Sequence, residues 1–432
     1  MLVAIREVVR SSPSLLPLAM TLLLAPLLGA GANPTEMFIA LFALIALAMF
    51  VHKLEQLRAG RLSMRFGPLE ILTLLFLLLA GIATISSVNV HASAVELWRY
   101  LAYVMLIWAM RKAVQNTSAV LILIGALLTG SSVVSYWGIR QYLMQLRVTG
   151  DTHWRIFSTF SNPNLLAGYL GLTLPLAVAC FLITRERAGK LLLGFVAALN
   201  VMAFLLTGSK GGAVAILLAA IVVTVIWWRL SPQRFNLRWR RVIPSLAAAI
   251  AVALLAARPM IPRLIAAFGS EAHSWQFRWY LWKSTLRLIA AFPLWGSGPG
   301  TFEMIYPRYA LTGFTRLAHE NYLQLAAEGG LFLALLFSSI IAGGLLSAAS
   351  SMRSADRSSA LLGAGLLGGL VAFAVHGLVD SIWYVPAVAI ALVALVSLSH
   401  SLRDMHSSPR GYELSVYLDS RAASPHPSGF SA

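Results

Sequence analysis

Leu331-Phe-Leu-Ala-Leu-Leu-Phe-Ser-Ser-Ile-Ile-Ala-Gly-Gly-Leu-Leu-Ser-Ala-Ala349 decides the fold, because it carries no formal charge over its whole length. A hydrocarbon core about 30 Å thick takes roughly 20 apolar residues as a helix, and this run supplies them. Directly before it stands His319-Glu-Asn-Tyr-Leu-Gln-Leu-Ala-Ala-Glu328-Gly-Gly330. A bilayer tolerates ionisable groups poorly, so a His, two Glu, an Asn and a Gln at one membrane edge predict a site facing water there.

Outward from this stretch, comparable runs recur near 14–30, 35–51, 69–87, 95–110, 118–137, 164–184, 191–207, 211–228, 242–257, 360–379 and 384–400, about twelve spans in all. None alternates with the period of two that a membrane barrel needs, and helices satisfy their own backbone polar groups. With 59% hydrophobic and 11% charged residues among 432, and a mean hydropathy of +0.78, the chain is too apolar for a water-soluble domain. The expected fold is all-α, a polytopic membrane bundle over 1–405. The Ser- and Pro-rich residues 406–432 are expected to form a disordered cytoplasmic tail.

The formal charge of +17 could suggest nucleic acid, but the cations follow membrane topology. With the N-terminus in the cytoplasm, inside segments carry Arg6 and Arg10, then Lys53, Arg58, Arg61 and Arg65, then Arg111 and Lys112. Arg185, Arg187 and Lys190 follow, then Arg229, Arg234, Arg238, Arg240 and Arg241, then Arg353 and Arg357, and last Arg403, Arg410 and Arg421. Outside turns near 31–34, 88–94 and 380–383 hold no Lys or Arg. Both termini are therefore expected in the cytoplasm. The first apolar run reads as an uncleaved helix, not a removable signal. The single cysteine, Cys180, rules out an intrachain disulfide framework.

Two outside segments break the charge rule: 138–163, with Arg140, Arg147 and Arg155, and the long loop 258–330, with Arg278, Lys283, Arg287, Arg308 and Arg316 among its cations. Such cations either contact anionic headgroups or dock an anionic, lipid-linked substrate. Within the long loop, Trp275, Trp279 and Trp282 recur at helical spacing, which predicts an interfacial helix from about Ser274 to Ala291 that stops at Phe292-Pro293. The Gly296-Ser-Gly-Pro-Gly300 cluster lacks a preceding strand and a Gly-Lys-Ser/Thr, so it reads as a bend and not a nucleotide loop. Asn162 or Asn164 can cap the sixth span. Lys210 sits in the short turn Thr207-Gly-Ser-Lys210-Gly-Gly212, and Arg99 either snorkels or pairs with Glu96. His376 and Asp380 stand at i and i+4 on the outer end of a span, a spacing that puts them on one helical face.

In this order the motifs resemble the O-antigen ligase and polymerase superfamily of bacterial membrane glycosyltransferases. The resemblance covers about residues 150–390. It rests on Arg155 with Phe160-Ser-Asn-Pro-Asn164; Thr207-Gly-Ser-Lys210; Arg278 with Trp282 and Pro293-Leu-Trp-Gly-Ser-Gly298; His319-Glu-Asn-Tyr-Leu with Glu328-Gly-Gly330; and His376 with Asp380. It implies a type C glycosyltransferase-like fold in the bacterial inner membrane. The implied reaction moves a glycan from an undecaprenyl-diphosphate donor to an acceptor hydroxyl on the periplasmic face, without a cofactor or metal. By position, His319 matches the essential histidine, Arg278 the loop arginine and Asp380 the late acidic residue, giving His319, Arg278 and Asp380 as catalytic candidates. Lys210, Arg155, Asn162, Asn164, Glu320, Asn321, Tyr322, Glu328 and His376 are substrate-binding candidates. Lys210 stands where the family often has arginine, which removes a bidentate phosphate contact.

Histidine suits the abstraction of a proton from an acceptor hydroxyl, and the cations suit a diphosphate leaving group. Asp380 orients either His319 or His376, and Glu328 either ends its helix or binds sugar hydroxyls. Outside turns carry no Asp-x-Asp pair to hold a divalent cation. The implied partners are the lipid-linked glycan, an acceptor glycan or lipid A-core, and membrane lipids, with no nucleic acid. The ligase reading competes with a polymerase, which shares donor clamp and base. An exporter of lipid-linked glycan is the alternative from another class, opposed by the short 185–190 connection where such carriers place a long central linker.

Overall fold

The structure is a computed structural model that describes residues 12–28, 34–58, 61–230, 272–406 and 412–417. Each expected apolar run within these residues is a helix: α1 (Leu15–Leu24), α2 (Pro34–Arg58), α3 (Pro68–Ile85), α4 (Val90–Ala113), α5 (Thr117–Thr149), α6 (Pro163–Ile183), α7 (Arg187–Thr207), α8 (Lys210–Leu230), α10 (Asn321–Ser351), α11 (Arg357–His376) and α12 (Pro386–Asp404). The interfacial segment forms α9 (Ala272–Ala291). Among the described residues, nine helices are long and apolar enough to cross a membrane, and Leu15–Leu24 is a shorter apolar helix. The span expected at 242–257 lies outside the described residues.

Because short connections join successive helices, the spans run antiparallel and the bundle has two distinct ends. At one end Arg111, 7% exposed, binds Glu70 at 3.2 Å, Ser401 at 3.2 Å and Asp404 at 2.7 Å, tying α4 to α3 and α12. Lys112, Arg185, Arg187, Arg353, Arg357 and Arg403 also belong to this basic end. There too, β1 (Arg61–Phe66) pairs antiparallel with β2 (Tyr412–Tyr417), Arg61 opposite Tyr417 and Phe66 opposite Tyr412. This six-residue strand pair is the β structure among the described residues, beside an otherwise helical chain, and it takes in residues 412–417 of the tail. Residues 407–411 and 418–432 of the tail lie outside the described residues.

At the centre stand α6, α11 and α12. Gly365 and Gly368 of α11 lie against Ala179 and Pro175 of α6, where an added Cβ would come within 2.8 and 2.9 Å of those side chains. Small residues permit this approach, and dispersion contacts then hold the helices together. The 33 residues of α5 span about 50 Å, some 20 Å more than the hydrocarbon core, so its last turns project beyond the bilayer. They project at the end opposite Arg111, where the long 292–320 connection also lies.

That connection is locked down. The helix α9 stops where Pro293 was expected to stop it, and Gly296, Gly298 and Gly300 then adopt φ of 67°, 112° and 72°. The bend they make clasps two elements: Ser297 N donates to Ala327 O at 2.9 Å and Gly298 N to Glu328 O at 2.8 Å, while Val88 N donates to Ser297 O at 2.9 Å. Gly330, at φ 81° and ψ 168°, breaks α10 into an upper segment and the apolar span that follows. The Glu328-Gly-Gly330 boundary is thus a real kink.

Candidate active site

The connections α5–α6, α7–α8, α9–α10 and α11–α12, at the end away from Arg111, contribute to one polar cluster. Asn162 caps α6, its Oδ1 accepting from Asn164 N at 2.9 Å and Leu165 N at 3.1 Å. This leaves the Asn164 side chain free for another task. Its Oδ1 accepts from the Arg155 guanidinium at 2.8 Å, and its Nδ2 donates to Asp380 Oδ2 at 2.8 Å. The second oxygen of Asp380 accepts from His319 Nδ1 at 3.2 Å. Arg155, Asn164, Asp380 and His319 therefore form a continuous hydrogen-bonded chain, whose Asn164–Asp380 link joins residues 216 positions apart.

The turn after α7 grips the other side of Arg155. Thr207 O accepts from Arg155 Nε at 2.6 Å, and Gly208, at φ 57°, turns the backbone around the guanidinium. Lys210 begins α8 there, and a Cβ on the next residue, Gly211, would lie 3.3 Å from His376 Cδ2. His376 is 2% exposed, and Arg278 stands on α9. Arg278 also lies over the ring of Trp275, 5.8 Å from its centroid. Lys210, Arg278, Arg155, His319, His376 and Asp380 thus gather at one end of the bundle.

His376 and Asp380, expected at i and i+4 on the outer end of a span, stand at the last residue of α11 and in the turn that follows it. The helix α11 ends at His376, whose carbonyl accepts from both Val379 N and Asp380 N at 3.1 Å. That turn carries the Asp380 carboxylate across to His319. Asp380 is 3% exposed. Burial alone would raise its carboxyl, but the hydrogen bond and charge of His319, with His376 and Asn164 adding, hold it below the usual carboxylate range. A carboxylate kept ionised accepts from Nδ1–H, which leaves Nε2 of a neutral His319 as the proton acceptor. The His319 side chain is 33% exposed, so that nitrogen has access to the site.

The residues following His319 are committed to the scaffold. Glu320 caps α10, its carboxylate accepting from Leu323 N, and burial pushes it up to about 7 against the opposing backbone bonds. Asn321 N donates to Gly377 O at 2.8 Å, and its Oδ1 accepts from Trp383 N at 2.9 Å. Tyr322 donates to Ala374 O at 3.1 Å. Glu328, 1% exposed, accepts from Phe302 N at 3.2 Å and from the Tyr384 hydroxyl at 3.0 Å. These four side chains hold the loops in place, whereas His319 reaches outward.

Gln141, which the sequence did not single out, holds the segment that carries Arg155. Its side chain donates to Ser158 O at 2.9 Å and accepts from Ser158 N at 2.8 Å, at a residue with φ of 55°. An amide on the part of α5 that outruns the bilayer was its only sequence signal. Arg99 pairs with Glu96 at 2.8 Å, one of the two arrangements expected.

Residues 195–338, a third of the chain, match the family model described as O-antigen ligase. The matched region contains Lys210, Arg278, His319 and Glu328, and lies within the longer stretch of sequence resemblance. No curated protein matches the chain. The match supports membership of the O-antigen ligase and polymerase superfamily, with ligase- or polymerase-like glycosyl transfer in general terms, in a multi-pass bacterial membrane protein.

Proposed function

We propose that this chain, with its O-antigen ligase region and its cationic cluster at one membrane end, transfers a glycan from an undecaprenyl-diphosphate donor to an acceptor hydroxyl. The observation that carries the reading is the chain His319–Asp380–Asn164–Arg155, a partly exposed imidazole oriented by a buried carboxylate beside several cations. The basic residues at the opposite end support a cytoplasmic assignment for that end under the positive-inside rule, with the active site periplasmic and both termini cytoplasmic.

In this reading His319 Nε2 takes the acceptor hydroxyl proton as the acceptor oxygen attacks the anomeric carbon. The carbon–oxygen bond to the diphosphate breaks on the opposite face, so configuration inverts. Arg278 and Lys210 stabilise the negative charge left on the lipid diphosphate, and each such charge-assisted contact contributes about 1.5–3 kcal/mol. Arg155, bonded to Thr207 O and Asn164, fixes the geometry of Asp380. The reaction needs no metal, and activity should survive a chelator.

His319→Ala should slow transfer by purified protein about 100- to 10,000-fold, to a small residual rate, while the protein stays monodisperse and keeps its helical content. Near-normal product from donor and acceptor would reject the base assignment. Product formation in detergent also separates the transferase from an exporter, since a carrier changes only the location of its substrate. Ligase and polymerase share this chemistry. The enzyme is read as ligase-like on the family description, and a deletion strain that retains free polymer while losing attached polymer is the expected phenotype.

A further inference from the structure

His319 sits at φ 50°, a left-handed conformation that is unfavourable for a non-glycine residue unless its surroundings hold it. Two buried polar side chains on different elements provide that hold. Gln324 Oε1 accepts from Ala318 N at 2.9 Å, just before the histidine. Ser381 Oγ accepts from Glu320 N at 3.0 Å, just after it. The two close on each other, Ser381 Oγ donating to Gln324 Oε1 at 2.9 Å. Gln324 is 1% exposed and Ser381 fully buried.

The same serine belongs to the segment carrying the carboxylate, for Ser381 N donates to Asp380 Oδ1 at 3.0 Å, the oxygen that also meets His319 Nδ1. The amide orientation of Gln324 follows from its partners. Both groups facing Oε1 are donors, while Nε2 points to Glu328 Oε1 at 3.5 Å. The backbone on both sides of His319 and the Asp380 carboxylate are therefore fastened through one amide and one hydroxyl.

We infer that Gln324 and Ser381 are a pair of positioning residues that set the His319 imidazole on the acceptor hydroxyl. This inference rests on the proposed role of His319 as base. A misplacement of about 1 Å can lower a rate by about 100-fold without altering what binds. Loss of either partner should therefore appear in kcat and not in donor KM.

The test measures kcat and donor KM for Gln324→Leu, Ser381→Ala and the double variant, each also made in a His319→Ala background, with melting temperatures recorded in detergent. Each single variant should lose about 10- to 100-fold in kcat with KM within about twofold. The double should fall little below the worse single, because neighbours in one network are not additive. In the His319→Ala background, neither change should lower the residual rate by more than about twofold. A Gln324→Leu kcat within about twofold of the parent, a loss carried by KM, or the full loss repeated without the imidazole would overturn the inference. Ser381→Ala removes only one oxygen and carries the same test should the leucine variant fail to fold. Full activity in His319→Ala would instead strike the base assignment, and this inference with it. An inactive His319→Ala beside a fully active Gln324→Leu strikes the positioning pair alone.

Discussion

Asp380→Asn changes a single buried atom and tests the whole arrangement. In the parent, the carboxylate accepts on both sides, from His319 Nδ1 at 3.2 Å and from Asn164 Nδ2 at 2.8 Å, with Ser381 N as a further donor to the oxygen that faces His319. An amide cannot satisfy this set. If its oxygen faces His319, its NH2 meets the NH2 of Asn164, and a buried donor left unpaired costs about 1–3 kcal/mol. If its NH2 faces His319, Nδ1 must become an acceptor, Nε2 then carries the proton, and the base is in the wrong tautomer. The lost bond to a charged group contributes about 1.5–3 kcal/mol, equivalent to roughly 10- to 150-fold in rate at 1.36 kcal/mol per tenfold. The wrong tautomer adds to this, so kcat should fall by at least about 100-fold. The assay is single-turnover transfer from lipid-linked donor in detergent, with donor binding measured separately. A variant with kcat within about threefold of the parent would refute the reasoning.

Further expectations follow from the cations, the kink and the helix cap. Arg278→Lys keeps the charge but loses the planar fork, so turnover should fall about tenfold or more, whereas the same exchange at Arg308 should be silent; equal turnover in the two variants counts against a phosphate contact. Gly330→Ala forces a side chain into a conformation open essentially to glycine and drives its Cβ onto the Leu294 carbonyl, so a loss of about 1–3 kcal/mol or more should appear as a lower melting temperature. The folded Glu320 is pushed up to about 7 from an ordinary 4.5, so the fold holds its proton better than the unfolded chain does, and stability should fall as pH rises between those values. Glu320→Gln removes that titration and keeps the cap; its melting temperature should exceed the parent's by a few degrees at pH 8 and match it at pH 4, and an equal difference at both values would contradict the sign.

Much of the architecture was legible because its physics is local. The length of an apolar run says whether a helix can cross the bilayer whatever it packs against, and α2–α8 and α10–α12 lie where those runs were read. Pro293 ends α9 because a proline and its predecessor resist helix anywhere. Asn162 caps α6 because a short carbonyl side chain can reach the first free amides of its own helix. His319, Asp380, Arg155 and Lys210 were legible as candidates because their residue types are out of keeping with a lipid boundary.

What only the tertiary structure decided is how those residues divide their work. His319, Glu320, Asn321 and Tyr322 look equally polar in sequence, yet the left-handed backbone at His319 turns one side chain outward and sends the next three into the scaffold. Asp380 meets His319 because α11 ends at His376, and Asn164 is free to bridge because Asn162 took the cap. The pairing of Arg61–Phe66 with Tyr412–Tyr417 is likewise invisible along the chain. Hydropathy and helix stops act over one to a few turns and so survive in a linear string. Hydrogen bonds between residues 164 and 380, or strands 350 residues apart, arise only when packing brings distant segments within about 3 Å of each other.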